Sequence, residues 1–98
     1  MLHTVNKSPF QNSTLESCLR FVLPGDVILL LEDGVIAAAA GTAQSKLVEG
    51  ALSKKNSVYA IGADLKARGL TNTIKGVQVI DYAGFVELVE KHRTHAWL

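Results

Sequence analysis

The chain has 98 residues, 48% of them hydrophobic, 19% charged and 6% aromatic, with a formal net charge of +1. That length gives one domain over residues 1–98, and the apolar content excludes an intrinsically disordered chain. The near-neutral charge removes the electrostatic case for nucleic-acid or membrane-surface binding. A single cysteine excludes an internal disulfide.

So apolar a composition in so small a domain raises the expectation that a partner subunit covers part of the surface. Residues 1–7 lack the basic head and apolar stretch of a signal peptide. The longest apolar stretches, 27–31 and 35–40, are too short to span a bilayer. The expectation is a soluble cytoplasmic chain with a free thiol.

Residues 2–5 read as a short strand, and Pro9 makes residues 6–10 a loop by removing a donor and biasing Ser8 away from helix. Ser13-Thr14-Leu15-Glu16 matches a capping box, with Ser13 as cap and Glu16 reaching back. The helix that follows is expected to present Leu15, Cys18, Leu19 and Val22 on one face, and Pro24-Gly25 to end it. Val27-Ile28-Leu29-Leu30-Leu31 has no polar alternation, as in a parallel strand covered on both faces. Glu32-Asp33-Gly34 is a turn, 35–40 a short helix and 42–54 another, with Leu47, Val48, Ala51 and Leu52 as its buried stripe. Gly50 weakens that helix.

Residues 58–61 form a third strand and 63–68 a short helix with Gly69 as its C-terminal cap. Residues 77–80 form a fourth strand. Asp81 caps a last helix whose inner face is expected to be Tyr82, Phe85, Val86 and Val89. Lys91, His92 and Arg93 suit its negative end, and His95-Ala96-Trp97-Leu98 is expected to add a strand. Strands alternating with helices predict an α/β layered fold.

Five segments, in this order, resemble a known group: Leu2-His3-Thr4-Val5-Asn6-Lys7-Ser8-Pro9-Phe10; Leu31-Glu32-Asp33-Gly34-Val35; Tyr59-Ala60-Ile61-Gly62-Ala63-Asp64-Leu65-Lys66-Ala67-Arg68-Gly69; Ile80-Asp81-Tyr82-Ala83-Gly84-Phe85-Val86; and Ala96-Trp97-Leu98. The chain resembles the DsrH/TusB family of small sulfur-relay subunits, within the wider DsrE/DsrF/DsrH group. The resemblance covers nearly the whole chain. It implies a three-layer α/β/α fold with a mostly parallel sheet of about five strands. It also implies a cytoplasmic heterohexamer with DsrE/TusD-like and DsrF/TusC-like subunits, and a DsrC/TusE-like sulfur acceptor. Such complexes pass persulfide sulfur between cysteines, toward 2-thiouridine of tRNA in the Tus branch and in sulfur oxidation in the Dsr branch. A cysteine on the helix after Lys7-Ser8-Pro9, and the run Ser13-Thr14-Leu15-Glu16-Ser17-Cys18-Leu19, look more like the DsrH pattern, so sulfur oxidation is the expected branch. No cofactor or metal and no direct nucleic-acid contact is expected.

Cys18 is the one candidate catalytic residue. A thiolate is needed to attack a persulfide, and a loaded cysteine would carry sulfur reversibly. Against that, Cys18 shares a face with Leu15, Leu19 and Val22, where free cysteine commonly packs as a small hydrophobe. A reachable thiol favours a carrier, and a sealed one an assembly subunit. Glu32 and Asp33 stand where strands of open α/β sheets bind ligands, but Asp-Gly is an ordinary turn signal. His3 could assist a thiol, whereas His3, His92 and His95 lack metal-ligand spacing. Lys7 could attract an anionic persulfide or a partner's carboxylates. Trp97 is either a tail packed on its own domain or an interface anchor. No dinucleotide or phosphate loop occurs.

Overall fold

A computed structural model describes residues 1–98. Its elements are β1 (Leu2–Val5), α1 (Thr14–Phe21), β2 (Val27–Leu30), a 3-10 helix (Glu32–Ala38), α2 (Ser45–Ser53), β3 (Ser57–Ile61), α3 (Gly62–Ala67), β4 (Gln78–Ile80), α4 (Tyr82–Lys91) and β5 (Thr94–Trp97). All five strands are parallel, in the order β4-β3-β2-β1-β5. β2 is central and every residue in it is buried, as its unbroken apolar run requires.

The layering follows from the strand order. From β1 to β4 the chain steps across the sheet in one direction, and right-handed crossovers then place every connecting helix on one face. The step from β4 to β5 runs the opposite way, so the same handedness puts α4 on the other face. The two cores match this arrangement. Val5, Leu15, Cys18, Ile28, Leu30, Val48, Val58 and Leu65 belong to a 14-residue cluster on the face of α1, α2 and α3. Leu2, Val27, Leu29 and Ile61 form a smaller cluster under α4, closed by Phe85 and Leu88. The result is an α/β/α sandwich with one thick outer layer and one thin one.

Three local expectations are corrected. The capping box at Ser13 does not form: Ser13 makes no side-chain cap bond. Asn12 Oδ1 instead accepts from the Thr14 backbone N–H (2.9 Å) and from the Thr14 hydroxyl. An Asx-type turn satisfies the first free donor one residue earlier than expected. The turn at 32–34 is the first part of a continuous 3-10 helix, for which Glu32 takes a left-handed φ of 51°. Gly34 is required there because an added Cβ would lie 2.0 Å from the Val5 carbonyl oxygen. On α4 the inner residues are Phe85 and Leu88, whereas Tyr82, Val86 and Val89 are exposed. Asp81 does cap α4, its Oδ1 accepting from Gly84 N–H at 2.8 Å.

Candidate functional site

Cys18 lies in the second turn of α1, on the side facing the sheet, and has no solvent exposure. Its neighbours in the larger core are aliphatic, and no hydrogen bond reaches its sulfur. Burial pushes the thiol up to about 12, with the charge of Asp26 adding to the effect. At neutral pH the sulfur is therefore held as the thiol rather than the thiolate. The position of Cys18 is set by the i, i+3 pattern that buries Leu15 and Cys18 together.

A chain of polar contacts lies around the amino-terminal ends of β1, β2 and β3. His3 is buried on β1. Its Nε2 is 2.9 Å from Asp26 Oδ2, and its Nδ1 is 3.1 Å from Trp97 Nε1. The indole N–H only donates, so Nδ1 must accept and Nε2 must carry the proton given to Asp26. Both ring nitrogens are thus engaged, and neither is free to take a proton from Cys18. Asp26 also accepts from the amino terminus of Met1 (3.1 Å) and from Leu23 N–H (3.1 Å). Partial burial works to raise the Asp26 carboxyl, but the His3, Leu23 and amino-terminal bonds and the terminal charge outweigh it and hold the group down at about 2. Asn56, also buried, ties this edge to β3 by donating to the Leu23 and Asp26 carbonyls at 2.8 and 3.1 Å.

Trp97 packs on its own domain. Its ring centroid is 5.6 Å from that of Phe21 and 4.7 Å from that of His95. With Met1, Leu23, His3 and Asp26 these rings border a pocket of about 530 Å³. Leu23 and Phe21 remain two-thirds exposed beside it.

The remaining sequence candidates lie elsewhere. Lys7 is an exposed loop residue past β1, and His92 ends α4. His95 joins the ring cluster opposite His3 on the neighbouring strand. Glu32 and Asp33 start the 3-10 helix at the carboxyl end of the sheet. Glu32 N–H donates to Asp64 (2.8 Å), Arg68 binds Asp33 through Nε (3.0 Å) and Nη2 (2.9 Å), and the Tyr82 hydroxyl donates to Asp64 (3.1 Å). That Asp64 bond heads the causes that raise the Tyr82 phenol. These bonds make Glu32 and Asp33 part of a loop-to-helix brace. No group of three His, Cys, Asp or Glu side chains is arranged to hold a metal.

Asp26 belongs to no motif, although an acid directly before a fully buried strand is a signal. Such a carboxylate must find donors at the sheet edge, and His3 is the donor that the register of β1 on β2 brings there.

The site is thus a sealed thiol and a His-Asp-Trp contact chain on a parallel five-stranded α/β/α sandwich, the fold class expected of a DsrE/DsrF/DsrH-type domain. The model of the DsrH-like protein family matches residues 7–95, and the chain belongs to that family. Among relatives, it is 46% identical over 95 residues to the TusB protein of Serratia proteamaculans, covering 96% of each chain. It is 41% identical over 99 residues to the TusB protein of Escherichia coli K12, covering 99% of this chain and all of that one. Among solved structures, the ychN protein of Escherichia coli superposes with a TM-score of 0.80 at 16% identity, over 95% of this chain and 94% of that chain. MTH1491 of Methanobacterium thermoautotrophicum gives 0.76 at 16% identity, over 97% and 95%. These two show the fold alone. No helix is long and apolar enough to cross a membrane.

Proposed function

We propose that the chain is the TusB-type subunit of a sulfur-relay complex that serves 2-thiouridine formation in tRNA. It would act there by assembly and docking rather than by carrying sulfur. The observation that carries the second half is the sealing of Cys18 within the aliphatic core. A sulfur carrier must present a thiolate to a partner's persulfide, and here α1 would have to lift from the sheet first. The branch rests on relatives: near-full-length proteins at 41–46% identity carry the TusB name, which favours tRNA thiolation over the sulfur oxidation expected from the cysteine pattern. The partners this reading implies are TusC- and TusD-like subunits, with a TusE-like acceptor, in the cytoplasm.

The test is co-expression with TusC- and TusD-like subunits, followed by native mass spectrometry and a sulfur-relay assay. The complex is expected to form, and a Cys18→Ala chain is expected to sustain relay at the wild-type rate. Gain of about 32 Da by the wild-type chain alone, with relay lost in Cys18→Ala, would make Cys18 a carrier. A chain that stays monomeric among those subunits would overturn the assembly reading.

A further inference from the structure

An open groove runs between α1 and α2. Its floor is Leu19, Val22, Leu47 and Ala51, and it encloses about 530 Å³. It adjoins a second hollow of about 300 Å³ that shares Glu16 and Leu47 and reaches the exposed Phe10. Gly50 stands in the wall, in the interior of α2, where glycine weakens a helix. Its φ is not left-handed, and a Cβ added there would meet nothing within 4 Å. Neither backbone conformation nor crowding requires a glycine, in contrast to Gly34. At that point of the wall no side chain enters the groove.

The charges around the groove are unbalanced. Arg20, Lys46 and Lys54 line it against a single acid, Glu16. Glu16 is paired with Arg20 at 3.7 Å, and neither lysine has a carboxylate within ion-pair distance. Both walls are helices whose backbone groups are already bonded, so the groove offers no sheet edge to an extended segment. A trough between two helices, with an apolar floor, accepts the side-chain ridge of a third helix.

We propose that this groove receives an amphipathic helix of a partner protein, its apolar ridge seated on Leu19, Leu47 and Ala51 and its flanks carrying Asp or Glu toward Lys46 and Lys54. The inference deepens the docking role proposed above and rests on it.

The probe is a 14-residue amphipathic peptide with leucines on one face and glutamates on its flanks, titrated into the ¹⁵N-labelled chain. A second peptide has lysines in place of the glutamates. The glutamate peptide is expected to shift amides of residues 16–22 and 46–54 saturably, with the lysine peptide binding about tenfold more weakly at low salt. Gly50→Leu fills the groove and is expected to abolish binding while melting no lower than wild type. The surface pair Lys46→Glu with Lys54→Glu, which leaves the core untouched, is expected to reverse the preference between peptides. Equal binding of the two peptides, unchanged binding by Gly50→Leu, or no saturable shift up to about 2 mM peptide (weaker than about −4 kcal/mol) overturns the proposal. Co-expression of the unmodified chain with TusC- and TusD-like subunits is read separately. If that complex forms while the groove fails these tests, only the groove assignment falls.

Discussion

Replacing Cys18 measures how the chain uses its only thiol, and the outcome runs against simple isostery. Serine is the nearest match in size, but at a site with no exposure its hydroxyl would inherit no hydrogen bond, since none reaches the Cys18 sulfur. An unpaired buried hydroxyl costs about 1–3 kcal/mol. Alanine removes one heavy atom and leaves a small void, costing roughly 1 kcal/mol from lost burial and contacts. Cys18→Ala is therefore expected to be at least as stable as Cys18→Ser. For a domain of this size, 1 kcal/mol corresponds to about 4–8 °C in melting temperature, so Cys18→Ser is expected to melt roughly 5–20 °C below wild type. Urea denaturation of the three proteins gives the free energies, with equal slopes confirming a common unfolded state. In parallel, the native wild-type thiol is expected to ignore a disulfide reagent until the chain unfolds. Cys18→Ser as stable as wild type, together with rapid native labelling, would refute the reasoning.

Asn56→Ala removes the side-chain donor to the Leu23 and Asp26 carbonyls, the Leu23 oxygen keeping only the Asp26 N–H, and is expected to cost about 1–3 kcal/mol, read by urea denaturation. Gly34→Ala drives a methyl into the Val5 carbonyl and is expected to cost about 3 kcal/mol or more, giving a chain that melts far below wild type or accumulates insoluble. Asp26 titrates at about 2 in the fold against 3.8 otherwise. Its stabilisation is therefore complete above about pH 4 and lost as pH falls through 2. With allowance for screening on its open side, it amounts to about 1–2 kcal/mol. Chemical denaturation between pH 2 and 5 is expected to show that slope in wild type and a flatter one in Asp26→Asn.

The sequence was most legible where a residue has one physical option. Val27 to Leu30, with no polar residue, had to be a doubly covered strand, and Asp81 before an apolar run had to cap a helix. It was least legible where two options are equally apolar. On α4 the rows Tyr82-Val86-Val89 and Phe85-Leu88 carry the same kind of side chain. Which row is buried depends on how the helix lies across the sheet, a tertiary choice that period alone does not contain. Ser13 and Asn12 are both good cap residues, and a turn one position earlier gave the bond to Asn12. At the candidate site, Cys18 could be found but its sealing could not. The bond of His3 to Asp26 spans 23 residues and exists only once β1 and β2 are in register.

The place of β5 beside β1 has a consequence for biosynthesis. Leu2 pairs with Thr94 and Val5 with Trp97, so β1 is joined on that side by the strand that lies farthest from it in sequence and is translated well after it. Throughout translation of the intervening residues, β1 carries an open edge, and the Nδ1 atom of His3 awaits its indole donor. An unpaired edge on an apolar strand is a template for wrong pairing between nascent chains. Closure also requires the contact farthest apart in sequence, which slows folding of so short a chain. A polypeptide halted before Thr94 would keep that open, adhesive edge.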